Sequence, residues 1–103
     1  MTVDRLATMR AMAARQPDNA LVRFGLANEL LKANLLEEAA TELAGYLASY
    51  DDEGNGWLRY VDTLTALGKR EQAREAALKG VEAATRYGHG TLVAEFEERL
   101  DAF

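Results

Sequence analysis

The segments "RFGLANELLKANLLEEA", residues 23–39, and "WLRYVDTLTALGKREQA", residues 57–73, decide how this chain folds. Laid over one another at a distance of thirty-four residues, they share Leu30 with Leu64, Glu37 with Glu71 and Ala39 with Ala73. The pairs Phe24/Leu58, Leu26/Tyr60, Ala27/Val61, Asn28/Asp62 and Asn34/Gly68 keep their character. These are the places that a helical hairpin constrains: an apolar stripe at helical spacing, a turn residue that tolerates left-handed backbone, and alanine where two helices approach closely. Such a hairpin cannot cover its own apolar face alone, and a second copy stacked behind it is the natural remedy.

Working outward, the chain reads as six helices joined by short turns. Residues 3–15 carry Val3, Leu6, Met9 and Ala13 on one stripe, with Met12 beside it. Pro17 restrains the residue before it away from helical geometry, and Asp18 or Asn19 then caps a second helix running to about Ala33. A third helix is expected at 36–49, a fourth from Gly56 or Trp57 to Leu67, a fifth from Arg70 to Thr85 and a sixth at 91–102. Ala27, Ala39 and Ala73 stand at close approaches, flanked by Leu26, Leu30 and Leu43 in the first hairpin and by Tyr60, Leu64 and Leu78 in the second. Connections this short make consecutive helices antiparallel neighbours.

The composition agrees with an all-α domain. In 103 residues there is one proline, no cysteine and a formal charge of −5, and strong helix formers predominate. A chain of this length makes one domain and buries roughly two-thirds of the surface that its unfolded form exposes. Without cysteine there is no disulfide framework and no thiolate metal site. The acidic balance argues against a nucleic-acid partner, which would be met by a basic face. No run of apolar residues is long enough to span a membrane, and "MTVDRLATMR" lacks the organisation of a secretory signal. A cytoplasmic location is the expectation.

The thirty-four-residue period, the helix–turn–helix units and the W-x2-L-G-x2-Y…A-x3-F…P-like skeleton resemble the tetratricopeptide repeat, in a small stand-alone form of bacterial type. Residues 20–53 supply Leu26, Ala27 and Leu30, then Ala39 and Leu43; residues 54–87 supply Trp57, Tyr60, Val61 and Leu64, then Ala73 and Ala77. Residues 3–16 then resemble the second helix of a truncated preceding unit, and 91–102 a capping helix. The resemblance implies one domain over residues 1–103 with an α-α superhelical fold. There are departures. Arg23 stands where the second unit has Trp57, and Tyr46 where it has Gly80, which implies a splayed or locally aromatic first hairpin. The last helix fits the register poorly, because Glu95 falls where Ala27 and Val61 sit.

No residues assemble into an active site. "DDEGNG" at 51–56, with Asp62 beyond it, approaches a calcium loop, but Glu53 replaces the usual Asp or Asn and Asp62 the bidentate Glu. An acidic turn favouring the positive end of the next helix is the preferred reading. His89 is the only histidine, between Gly88 and Gly90, and reads as part of a flexible turn; Ser49 is the only serine. The pairs Glu37–Glu38 and Glu97–Glu98 are adjacent and so point to different helix sides. Met9, Met12 and Trp57 read as packing residues. No catalysis, cofactor or metal is expected.

What remains is a surface. In stacked hairpins the first helices of successive units line the inner face. The resemblance places partner-facing positions at Leu21, Phe24, Asn28 and Leu31 in the first unit, and at Asn55, Leu58, Arg59, Asp62 and Thr65 in the second. Burial of Leu21, Leu31 or Leu58 against flanking helices is the competing reading. One subclass of the family clamps a C-terminal carboxylate with Lys and Asn; Asn28 matches the amide, but Phe24 stands in the place of the lysine, so that activity is not implied. The expected function is a non-catalytic protein-interaction module holding a peptide or helix in a groove. The alternative is a self-assembling scaffold or non-catalytic subunit, since residues 3–15 carry +2 and 91–102 carry −3. A monomer or weak homo-oligomer is expected, with no nucleic-acid or membrane partner.

Overall fold

The computed structural model describes residues 4–103. Val3, expected on the first apolar stripe, lies outside them. Among the described residues the chain is all-helical, with six helices and no strand. It divides into two compact units at Tyr50/Asp51.

The first unit holds α1 (Arg5–Arg15), α2 (Ala20–Lys32) and α3 (Leu36–Ser49). Asp4 caps α1 by accepting the Ala7 N–H. Of the two candidates for the α2 cap, Asn19 takes the role: its Oδ1 accepts the Leu21 and Val22 N–H groups at 3.1 and 3.3 Å. Asn34 has φ +61°. There the Leu35 N–H reaches the Leu30 carbonyl at 2.9 Å and the Asn34 N–H reaches Leu31 at 3.0 Å, the paired bonds of a Schellman turn. Ala27, Leu30, Ala39 and Leu43 are wholly buried, so the small residues are where α2 and α3 approach. Leu6, Met9, Ala13 and Leu31 pack around Leu26, Leu30 and Ala39. Met9 is thus a core residue, and Gly25 makes its seat: a Cβ there would lie 2.6 Å from the Met9 methyl.

Arg23 and Tyr46 explain how this hairpin does without a tryptophan. The Arg23 guanidinium lies over Gly45, donates to the Pro17 carbonyl at 3.1 Å and pairs with Glu42 at 3.5 Å. Tyr46 is 3% exposed and sits between Phe24 and Tyr50, with ring centroids 4.6 and 5.3 Å away. The hairpin is locally aromatic at this point.

The second unit holds α4 (Asn55–Ala66), α5 (Arg70–Arg86) and α6 (Gly90–Ala102). α4 begins one residue before the expected start because Asp52, 7% exposed, accepts the Gly54 and Gly56 N–H groups at 2.8 and 2.9 Å. Gly68 repeats the turn of Asn34 with φ +77°, and Gly88 supplies a third with φ +73°. The Lys69 N–H reaches Leu64 at 2.9 Å and the His89 N–H reaches Ala84 at 2.8 Å. The core is Val61, Leu64, Ala73, Ala76, Ala77, Ala84 and Phe96. Leu78, read as a flanking core residue, is instead 51% exposed. Ala76, Ala77 and Gly80 line the buried stripe of α5, and one residue past Ala77 is a rotation of roughly 100° away from it.

The misfit of the last helix is a shift of one residue: Phe96, thirty-five residues after Val61, takes the core place that the thirty-four-residue register assigns to Glu95, and it is wholly buried. A Cβ on Gly80 would strike its ring, so that glycine is the notch into which α6 seats its largest side chain.

Candidate interaction surfaces

Each predicted site residue lies on a stripe of its own helix. On α2, Leu21, Phe24, Asn28 and Leu31 follow one another at helical spacing. Leu21 is 61% exposed, while Phe24 is half-buried against Tyr46 and Leu31 half-buried against the Leu26–Leu30–Ala39 cluster. Burial of Leu31 is thus partial and that of Leu21 absent. The Asn28 Oδ1 is buried and accepts no hydrogen bond, an arrangement that costs about 1–3 kcal/mol when nothing compensates it. Leu21 and Tyr50 also line an open hollow of about 640 Å³ with Arg15 and Pro17. Both are large, exposed and apolar.

On α4, Asn55, Leu58, Asp62 and Thr65 form the corresponding stripe, with Arg59 beside it. Leu58 packs partly against the Val61–Leu64 cluster. The Thr65 hydroxyl donates to the Val61 carbonyl at 2.8 Å; Asn55 and Arg59 are exposed. Asp62 is held by the chain itself: Arg99 of α6 donates to it through Nε and Nη2 at 2.6 and 3.0 Å. Bonding to that carboxylate raises the affinity of the Arg99 guanidinium for its proton. Nothing in the spacing of α4 signals this pair, because Arg99 belongs to the helix that departs from the repeat register.

The acidic turn and the turn at 87–90 are laced together. Asp51 accepts from Arg86 at 3.1 Å and from the Tyr87 hydroxyl, and Glu53 meets His89 Nε2 at 2.8 Å. His89 is therefore not a bare spacer in a flexible turn. Residues 55–62 are helical, as the acidic-turn reading requires, and among the described residues no group of three or more His, Cys, Asp or Glu side chains is placed to hold a metal. The hydrogen bond to Asp51 and the surrounding negative charge hold the Tyr87 phenol above its ordinary range. The role of Asp52, whose carboxylate starts α4, does not emerge from the sequence reading; Gly54 and Gly56 two and four places on are the available signal.

At the ends, Arg5 pairs with Glu29 at 3.2 Å and Arg10 chelates Glu38, one of its bonds being 3.0 Å. Two of the three α1 arginines are thus engaged within their own unit. Among the described residues no helix is long and apolar enough to cross a membrane. No family model, curated protein or solved structure matches the chain.

Proposed function

We propose that the chain is a tetratricopeptide-like, non-catalytic interaction module that holds an extended or helical segment of another protein along the exposed stripe of α2. The observation that carries this reading is Asn28. Its buried, unanswered Oδ1 lies on the same stripe as exposed Leu21 and half-buried Phe24 and Leu31. An incoming chain offers apolar side chains to these neighbours, and turning the Asn28 amide outward gives its oxygen a main-chain N–H in place of its unanswered burial. The repeated Schellman turns and the buried Ala27, Ala39 and Ala73 support the hairpin-repeat assignment. The short length of the stripe limits the contact area, so micromolar affinity is expected.

The test is affinity capture with the intact chain, repeated with Leu21→Ser and Asn28→Leu. Phe24→Ala is a poorer control, because the stack on Tyr46 makes it a change to the fold as well. A protein retained by the native chain and lost by both variants supports the reading. Equal retention by all three removes α2 from the site.

A further inference from the structure

Trp57, the only tryptophan, does not close the surface over itself. It meets Tyr60 at a centroid distance of 6.4 Å with the planes tilted by 58°. With Gln72, Glu75, Ala76 and Lys79 the two rings line a hollow of about 160 Å³. Lys79 extends its ammonium over the indole, 5.8 Å from the ring centroid, near the outer limit of roughly 6 Å for a cation–π contact. One cation is present where several groups attract one. The indole face is one such group. Glu75 is another: among the described residues its carboxylate has no ion-pair partner. The amide oxygen of Gln72 adds a neutral acceptor.

We propose that this hollow binds the ammonium of a lysine side chain from a partner segment, with Lys79 as its intramolecular stand-in. A primary ammonium has three N–H donors on a long apolar stem. The stem fits against Trp57 and Tyr60, and the donors meet Glu75, Gln72 and the indole face. Lys79 is exposed on α5 and touches the ring at long range, so displacing it exposes one solvated ammonium and costs little. The second unit carries eleven Asp and Glu against seven Lys and Arg, which draws a basic segment towards it. The site lies within the second unit and stands whether or not α2 binds a partner.

The experiment follows Trp57 fluorescence in the full chain during titration with capped tripeptides whose central residue is lysine, trimethyllysine or norleucine. Lys79→Ala and Glu75→Gln change exposed positions on α5, and circular dichroism confirms that each variant retains its helix. The lysine peptide is expected to shift the emission of Lys79→Ala saturably, with binding to the native chain about fivefold weaker because Lys79 competes. Adding Glu75→Gln to that variant is expected to weaken binding about fivefold, the scale of an exposed charge contact. Norleucine is expected to give no saturable shift. The proposal is overturned by equal binding of norleucine, by identical responses with and without Glu75, by trimethyllysine binding as well as lysine, or by no saturable shift at millimolar lysine peptide.

Discussion

The contact between Phe96 and Gly80 makes a sign-changing prediction. Phe96 is wholly buried, and replacing it with alanine removes a ring from the second unit's core at a cost of about 3–5 kcal/mol. Gly80→Ala acts differently in the two backgrounds. Gly80 lies within α5, where alanine is better than glycine by about 1 kcal/mol on helix propensity alone. With Phe96 present, however, the new Cβ lands in the phenyl ring, and an overpacked core costs about 1–3 kcal/mol. Gly80→Ala is therefore expected to destabilise the native chain by up to about 2 kcal/mol, that being the overpacking cost less the propensity gain. In Phe96→Ala the collision is gone, and the same substitution is expected to stabilise by about 1 kcal/mol. Urea unfolding of the four proteins, followed by circular dichroism, gives the cycle and a coupling of about 1–3 kcal/mol, the overpacking cost itself. The same sign in both backgrounds refutes the notch and, with it, the placement of α6.

Further outcomes follow from single contacts. Asp52→Ala removes the acceptor for two N–H groups at the start of α4 and is expected to cost about 2 kcal/mol in urea unfolding, with Asp52→Asn costing less than half as much. Tyr87 is bonded to Asp51, and that bond holds its phenol above the ordinary tyrosine range. The neutral phenol is the form that the fold favours, so its contribution is intact below the unfolded pKa and fades as pH rises through the folded one. A tyrosinate absorbance titration checks this: the transition that Tyr87→Phe removes should move to lower pH in Asp51→Asn. If the opposite-signed terminal helices do not drive association, light scattering across a salt series gives a constant monomer mass. A mass that rises at low salt supports the self-assembling alternative.

The turns are the most legible part of the chain. Asn34 and Gly68 answer one geometric demand, positive φ at a helix C-terminus, and that demand is local enough to be read from residue type alone. The close approaches at Ala27, Ala39 and Ala73 are legible for a similar reason, since an alanine within a stripe of larger apolar side chains leaves room for a neighbouring backbone. Leu78 misleads because its hydrophobicity outweighs its angular position, although the alanines beside it mark the buried stripe of α5. The last helix misleads because a register carried from α2 to α4 fails by one residue at α6, and only packing into Gly80 reveals Phe96 as the residue that matters. The candidate surface is half legible. Spacing identifies the stripe on α2, but not that Tyr46 holds Phe24, nor that Arg99 claims Asp62. Both depend on contacts across the fold.

The central claim is that the stripe of α2 receives another protein's chain. Its most direct test is backbone amide chemical-shift mapping of the isotopically labelled chain on adding the segment recovered by affinity capture. Shifts concentrated at Leu21, Phe24, Asn28 and Leu31, with the Asn28 side-chain amide among them and the response lost in Asn28→Leu, are the predicted result. A partner that binds with its shifts elsewhere, leaving that amide unmoved, contradicts the account.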